Sequence, residues 1–232
     1  MRYFHTEDGH LLADDGDAVR DLTAVTPRLD SFGTLARAAA LTDRSVDAVA
    51  RRSLDDAPTV DPEAVAFDVP VAAPEVWAAG VTYEISESAR EEESGTPDVY
   101  MQVYRSERPE LFLKATPSRT VGHGDEVGVR GDSEWDVPEP ELAIVLHDGE
   151  IVGYTIGNDV SSRSIEGENP LYLPQAKVYD RSCSVGPCVA STETVPDPHA
   201  LDMSMTVERD GELVYEGATN TDEMVRSCEE LV

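Results

Sequence analysis

The sequence contains very little lysine and no long apolar run. Lys114 and Lys177 are its only lysines, and arginine supplies the rest of the 18 basic residues. No stretch approaches the roughly 18 consecutive apolar residues of a membrane-spanning helix. The first residues, MRYFHTEDGHLLADD, also lack the basic start and apolar run of a signal peptide. These absences predict a cytoplasmic protein that does not act at a membrane.

Cysteine is also scarce. Cys183, Cys188 and Cys228 are odd in number, and their spacing is not that of a zinc ribbon or finger. We expect buried or incidental thiols in a reducing compartment.

Positive charge is the third shortage. Against 47 acidic residues stand 18 basic ones, giving a formal net charge of −29 and a pI near 4.2. In dilute salt such a chain repels itself, whereas molar salt shortens the Debye length to about 3 Å. Because the acids are spread along the chain, we favour a halophilic surface over a functional acidic tail. The charge also disfavours binding to nucleic acid and to anionic membranes.

We expect this protein to lose structure reversibly when salt is removed, because the screening that offsets its self-repulsion is then lost. Circular dichroism during dialysis from molar KCl to about 0.05 M KCl measures the effect. Returning the sample to molar KCl should restore the spectrum. A spectrum that stays unchanged throughout would contradict the salt-adapted interpretation.

The chain of 232 residues, 40% of them hydrophobic, has the composition of a globular protein. Residues 1–75 predict a small N-terminal domain, with a hairpin-like start and helical periodicity in SFGTLARAAALT and SVDAVARRSL. Residues 76–232 predict a second, mostly β domain of short strands separated by Gly, Pro, Asp and Asn. Asp148-Gly149 and Asp210-Gly211 indicate tight hairpin turns. The predicted fold class is α+β, mostly β.

One helical segment interrupts these strands after AAGVTY. Ser88 and Glu91 fit a capping box at its start. The segment is either an exposed, charged surface helix or a lid over a site next to Gly80, whose lack of a side chain permits close approach.

The stretch VPEPELAIVL places two acids in an apolar strand. Strand alternation points Glu139 and Glu141 to the same face as Ala143 and Val145, where ionised carboxylates need a cation. Asp159 offers a third carboxylate after the run IVGYTIGN. Three oxygen ligands without His or Cys favour Mg²⁺, Mn²⁺ or Ca²⁺ over zinc. The competing interpretation is an edge strand with exposed acids.

Three motifs in order, PEPELAIVL, GYTIGNDVSSR and QAKVYDRSCSVGP, resemble the fumarylacetoacetate hydrolase superfamily from about Val76 onward. The resemblance implies a mixed β-sandwich roll with a small leading domain, assembled as a homodimer or homotetramer. It implies one Mg²⁺ held by Glu139, Glu141 and Asp159. The chain ends at SCEELV, where the family continues into closing strands, so we expect those C-terminal strands to be missing.

Within that superfamily, the stretch beginning GVTYEISESAR resembles the branch that dehydrates 2-keto-3-deoxy pentonates to 2,5-dioxopentanoate. Hydrolytic members carry a water-activating histidine in this lid region. The five histidines here lie elsewhere, at His5, His10, His123, His147 and His199. Hydrolysis or decarboxylation of acylpyruvate-like or oxaloacetate-like 2-keto acids is therefore the second interpretation. A non-enzymatic ligand-binding or assembly subunit is the third.

A dehydratase needs groups that move protons at C3 and at the C4 hydroxyl of its substrate. Lys177 is one candidate, since desolvation near a metal can lower the pKa of a lysine, although a structural salt bridge is the alternative. Glu110 is its candidate partner in acid–base chemistry. Lys114, on the same strand face, is a candidate electrostatic contact to the substrate or to the metal ligands. A Glu110–Lys114 ion pair would instead leave both without a catalytic role.

Two further residues are candidates for substrate binding. Arg90 could bind the substrate carboxylate or a distal hydroxyl, or could simply face solvent on a helix. Thr221 stands where the family has a substrate-binding threonine, and a helix-capping role explains it equally well.

Overall fold

The computed structural model describes residues 1–83 and 102–232. No helix in these two ranges is both long enough and apolar enough to cross a membrane. Among the described residues, the three cysteines are free thiols, with Cys183 and Cys228 buried.

The N-terminal part combines short antiparallel strands with helices. Its elements are β1 (Arg2–Thr6), β2 (Leu11–Asp14), β3 (Val19–Asp21), α1 (Leu22–Val25), α2 (Phe32–Thr42), α3 (Val46–Leu54) and β4 (Phe67–Asp68), with a 3₁₀ turn at Pro62–Ala64. Ser31 and Ser45 cap α2 and α3, each accepting a hydrogen bond from a backbone N–H three residues on. The two predicted helices are confirmed.

Strands dominate the remainder of the chain. The elements are β5 (Val76–Gly80), β6 (Glu110–Ala115), β7 (Thr120–Val121), β8 (Asp136–Val137), β9 (Pro140–His147), β10 (Glu150–Asp159), β11 (Ser161–Ser162), α4 (Arg163–Glu168), α5 (Leu173–Lys177), β12 (Cys183–Ser191), β13 (Asp202–Arg209) and β14 (Glu212–Asn220). Short 3₁₀ turns occupy Pro117–Arg119, Pro170–Tyr172, Thr221–Glu223 and Glu229–Leu231. The predicted α+β, mostly β class is confirmed.

Eight strands form one mixed sheet. Its order is β3-β2-β1-β12-β10-β9, with β4 also pairing β1 and β7 running parallel to β12. Three separate antiparallel pairs are β5–β6, β8–β11 and β13–β14. The described strands do not close into a barrel.

Both predicted hairpin turns are present. Asp148 and Gly149 have φ of 51° and 82° between β9 and β10, and Asp210 and Gly211 have φ of 53° and 79° between β13 and β14. Two successive positive φ values give the backbone twist that matches a two-residue hairpin. The β9–β10 turn fixes the register that positions the carboxylates described below.

The sheet and the main core both extend across residue 75. Arg2 in β1 lies opposite Ala190 in β12. The main core combines apolar residues of α2 and α3 with Val145 from β9 and Val189 from β12. A division into residues 1–75 and 76–232 stays a prediction, and the two parts share one sheet.

Candidate active site

A cleft lies beside the ends of β9 and β10. The charged side chains that line it are Glu110, Glu139, Glu141, Asp159, Glu166 and Lys177. Ala79–Tyr83, at the end of β5 and beyond, form another part of the wall.

Strand pairing brings the three predicted metal ligands together. Glu141 lies opposite Gly157 in the β9–β10 pair, and the backbone N–H of Asp159 donates to the carbonyl of Glu139 at 2.9 Å. Glu139 and Glu141 both line the cleft, while Val145, on the same strand face, enters the core. The predicted orientation of this strand is therefore what the structure shows.

The ammonium group of Lys177, at the end of α5, lies between these carboxylates. Its Nζ donates to Glu139 Oε2 at 2.5 Å, to Asp159 Oδ2 at 3.0 Å and to Ser161 Oγ at 2.7 Å. The side chain is only 5% exposed, so these charges interact with little solvent screening.

Burial and neighbouring charge shift the protonation of the cluster. Burial, together with the negative charges of Asp159 and Glu139, raises the pKa of Glu141 to about 8. For Lys177, burial acts to lower the pKa, but the carboxylates of Glu139 and Asp159 outweigh it, and the net pKa is raised. This lysine is therefore held protonated, not shifted toward neutrality as the sequence suggested.

The carboxylates fit a hard divalent cation by donor chemistry. The cleft lining offers carboxylate oxygens and no His or Cys side chain among the described residues. Within the described part of the chain, no group of three His, Cys, Asp or Glu side chains is already arranged to hold a metal ion. The ammonium of Lys177 instead lies between Glu139 and Asp159. Burial first, and then the negative charges of Asp159 and Glu139, raise the pKa of Glu141, and a bound cation would favour its ionised form. The ligand assignment stays a prediction.

Lys114 lies behind Asp159 and is not among the residues that line the cleft. Its Nζ is 2.7 Å from Asp159 Oδ1 and donates to the carbonyl oxygens of Val160, at 3.0 Å, and Lys177. The residue is 1% exposed, and burial lowers its pKa, although Asp159 partly opposes that shift. The ammonium of Lys114 is thus directed to Asp159 and two carbonyl groups, which supports a positioning role.

Glu110 enters the cleft across Gly80. The two residues are opposite each other in the β5–β6 pair. A Cβ atom added to Gly80 would lie 2.2 Å from Glu110 Oε2 and 3.0 Å from its Cδ. The glycine is therefore required for the Glu110 side chain to take this path into the cleft.

We expect Gly80→Ala to displace Glu110 and to lower turnover by about 100-fold, the effect typical of a displacement of about 1 Å at a catalytic group. Circular dichroism should show the fold retained. Gly131→Ala is the matched control, because no heavy atom lies within 4 Å of a Cβ added there. Equal activity of the two variants would show that the path across Gly80 is not needed.

Three polar residues of the cleft region were not singled out in the sequence. Arg163 donates from Nη2 to Glu139 Oε1 at 2.5 Å and from Nη1 to Glu166 Oε2 at 2.8 Å. Ser161 donates to Glu139 Oε2 at 2.6 Å. An Arg and a Glu three residues apart on one helix face are a detectable signal for Arg163 and Glu166. No local signal identifies Ser161.

Of the two further candidates for substrate binding, only Thr221 lies in the described residues. Thr221 is fully buried and does not line the cleft, and its Oγ1 accepts a hydrogen bond from the Leu201 N–H at 2.9 Å. Asn220, not Thr221, caps the 3₁₀ turn that follows β14. Arg90, Ser88 and Glu91 lie outside the described residues.

Comparison with known proteins identifies relatives across most of the chain. The family model "Fumarylacetoacetate (FAA) hydrolase C-terminal" matches residues 75–232. A Haloferax volcanii protein named "Probable 2-keto-3-deoxyxylonate dehydratase" is 65% identical over 96% of this chain and 78% of its own length. The 2-dehydro-3-deoxy-D-arabinonate dehydratase of Saccharolobus solfataricus is 46% identical over 70% of this chain and 56% of its own length.

A solved structure supports the same relationship. The 2-keto-3-deoxy-D-arabinonate dehydratase complexed with magnesium and 2,5-dioxopentanoate has a TM-score of 0.82 and 34% identity, covering 100% of this chain and 80% of that one. The family match covers most of the chain, and the Haloferax relative is similar along nearly all of it. This chain belongs to the fumarylacetoacetate hydrolase family.

Proposed function

We propose that this protein is a Mg²⁺-dependent dehydratase that converts a 2-keto-3-deoxy pentonate to 2,5-dioxopentanoate and water. The observation that carries the proposal is a single cleft lined by three clustered carboxylates, a protonated lysine and a separate glutamate, in a chain 65% identical to a named dehydratase. The relative solved with magnesium and 2,5-dioxopentanoate supports both the ion and the product.

Glu139, Glu141 and Asp159 would hold the Mg²⁺ ion. When bound, the ion supplies a Lewis acid that makes the C3 protons of a 2-keto acid more acidic. Arg163 and Ser161 orient Glu139, and Lys114 orients Asp159, through the contacts described above. These contacts restrict the positions that the carboxylates can take, which is how a site is kept ready for its substrate.

The proton transfers are assigned to Lys177 and Glu110. Lys177 is protonated and lies in the cleft, so it is assigned the proton transfer to the departing C4 hydroxyl. Glu110, which also lines the cleft, is then the base that takes a proton from C3. Loss of that proton and of the hydroxyl gives one water and a C3–C4 double bond. Moving a proton from C5 to C3 then gives an enol between C4 and C5, and transfer of the O5 proton to C4 yields the 2,5-dioxo product.

A substrate panel tests the proposal. 2-Keto-3-deoxy pentonates of both C4 configurations, an acylpyruvate and oxaloacetate are incubated with the protein and Mg²⁺ in molar KCl, and products are identified by mass and NMR. We expect loss of one water from a pentonate and no cleavage of carbon–carbon bonds. Cleavage of the acylpyruvate or loss of CO₂ from oxaloacetate, with the pentonates unchanged, would overturn the proposal.

Histidine placement separates dehydration from the second candidate, a hydrolase of the same family. All five histidines lie in the described residues, and none of them lines the cleft. A hydrolase that activates water through histidine therefore lacks its base here.

We also propose a cytoplasmic homodimer or homotetramer. The hairpin β13–β14 exposes Leu213, Val214 and Tyr215, each more than half accessible, and exposed large apolar side chains on one element are consistent with a contact between subunits. Mass measurement by light scattering in molar KCl determines the number of subunits.

A further inference from the structure

One buried carboxylate of the cleft has no part in the proposed metal ligands or proton transfers. Glu166 lies in α4, is 3% exposed, and borders the cleft. The guanidinium of Arg163 contacts Glu166 Oε2 with one nitrogen and Glu139 Oε1 with the other. The guanidinium of Arg163 therefore links the carboxylate of Glu166 to that of Glu139, a predicted metal ligand.

This arrangement determines which groups of a ligand Glu166 can bind. The ion pair with Arg163 favours the ionised form, and an ionised carboxylate can only accept hydrogen bonds. The carboxylate and keto group of a 2-keto acid are themselves acceptors, so Glu166 does not suit that end of the ligand. A hydroxyl group, which can donate, does suit it.

We propose that Glu166 accepts a hydrogen bond from a hydroxyl on the tail of the substrate, and so selects hydroxylated 2-keto acids over those without hydroxyls. The inference rests on the proposed dehydratase function, because that function supplies the hydroxylated substrate. Arg163 acts as a positioning residue, since it fixes Glu166 and Glu139 in one geometry. A site built to bond a hydroxyl discriminates strongly against an analogue that lacks it, because its buried group is then left without that partner.

The alternative is that Glu166 only holds Arg163 in place. Removing its charge would then disturb Glu139 through Arg163 and weaken every ligand of the cleft alike. Pyruvate, a 2-keto acid without hydroxyl groups, distinguishes the two cases. Binding of Mg²⁺ provides a second readout of whether Glu139 has moved.

The test compares Glu166→Gln with Glu168→Gln, a matched change at an exposed position of the same helix. For Glu166→Gln we expect kcat/KM on a 2-keto-3-deoxy pentonate to fall by about 10- to 100-fold, the usual effect of losing a hydrogen bond to a charged group. The inhibition constant of pyruvate and the Kd of Mg²⁺ should change by less than about threefold, within the effect of a weak contact. Glu168→Gln should match the wild type.

Glu166→Asp keeps the charge on a shorter side chain, and it decides the question if the glutamine variant does not fold. We expect it to recover part of the selectivity for the hydroxylated substrate. Parallel losses for the pentonate, pyruvate and Mg²⁺, or no loss at all, would overturn the assignment of Glu166 alone. A wild-type protein that acts on no 2-keto-3-deoxy pentonate would instead overturn the proposed function and this inference together.

Discussion

Glu141→Gln is expected to abolish Mg²⁺ binding and turnover while the fold is retained. The variant loses one charged oxygen ligand of the predicted set, and a hard cation depends on such ligands. The side chain lines the cleft, so the change leaves no cavity in the core. Glu139→Gln should have the same effect on Mg²⁺ and turnover.

The metal-free variant should also respond differently to pH. In the folded protein the pKa of Glu141 is raised from 4.5 to about 8. The folded state therefore binds a proton that the unfolded state releases between these values, and the free energy of unfolding falls as pH rises from 4.5 to 8. Glutamine cannot ionise, so the variant should lack this part of the decline and melt at a higher temperature than the wild type at pH 8.

Two measurements check these expectations. Calorimetric titration with Mg²⁺ in molar KCl tests the ligand role, and melting temperatures with a chelator, from pH 5 to pH 8, test the titration. Glu150→Gln, at an exposed position at the start of β10, is the matched control and should behave as the wild type does. Wild-type turnover by Glu141→Gln would remove Glu141 from the metal site.

Lys177→Arg should lower turnover by about 10²- to 10⁴-fold, the usual contribution of general acid–base catalysis. Arginine keeps the positive charge that Glu139 and Asp159 require, but its guanidinium stays protonated, with a pKa above about 12, and cannot exchange a proton. Because the carboxylate ligands are unchanged, Mg²⁺ affinity should change little.

Turnover of a 2-keto-3-deoxy pentonate at saturating Mg²⁺ is measured together with solvent deuterium uptake at C3. Lys177→Met is the comparison, since it removes both the charge and the proton. If charge alone matters, the arginine variant should be far more active than the methionine variant. A loss of less than about threefold for Lys177→Arg, well below the acid–base range, would remove Lys177 from proton transfer and favour Glu110.

The features that sequence predicted well are local. Asp-Gly turns require positive φ at both positions, which these residues adopt at low cost, so Asp148-Gly149 marks its hairpin directly. The alternation of a strand is equally local, and it correctly placed Glu139 and Glu141 on one face.

The features that sequence did not predict depend on packing between distant segments. Strand alternation gives the face on which Lys114 lies, but not that its ammonium meets Asp159, 45 residues away along the chain. The pairing of Gly80 with Glu110 depends on a register that neither residue specifies alone. The predicted direction of the Lys177 pKa shift was wrong for the same reason, since the shift depends on Glu139, just before β9, and on Asp159, at the end of β10.

The pairing of β1 with β12 has a consequence for synthesis of the chain. Arg2 and Tyr3 pair with Ala190 and Val189, so this part of the β1 edge stays unpaired until about residue 190 has been synthesised, roughly 10 to 40 s at typical elongation rates, whereas β4 pairs with His5 and Thr6 earlier. During that interval the strand edge is an open template for pairing with other chains. A substitution that delays β12 should therefore increase aggregation of nascent chains, even where the completed protein is as resistant to unfolding as before.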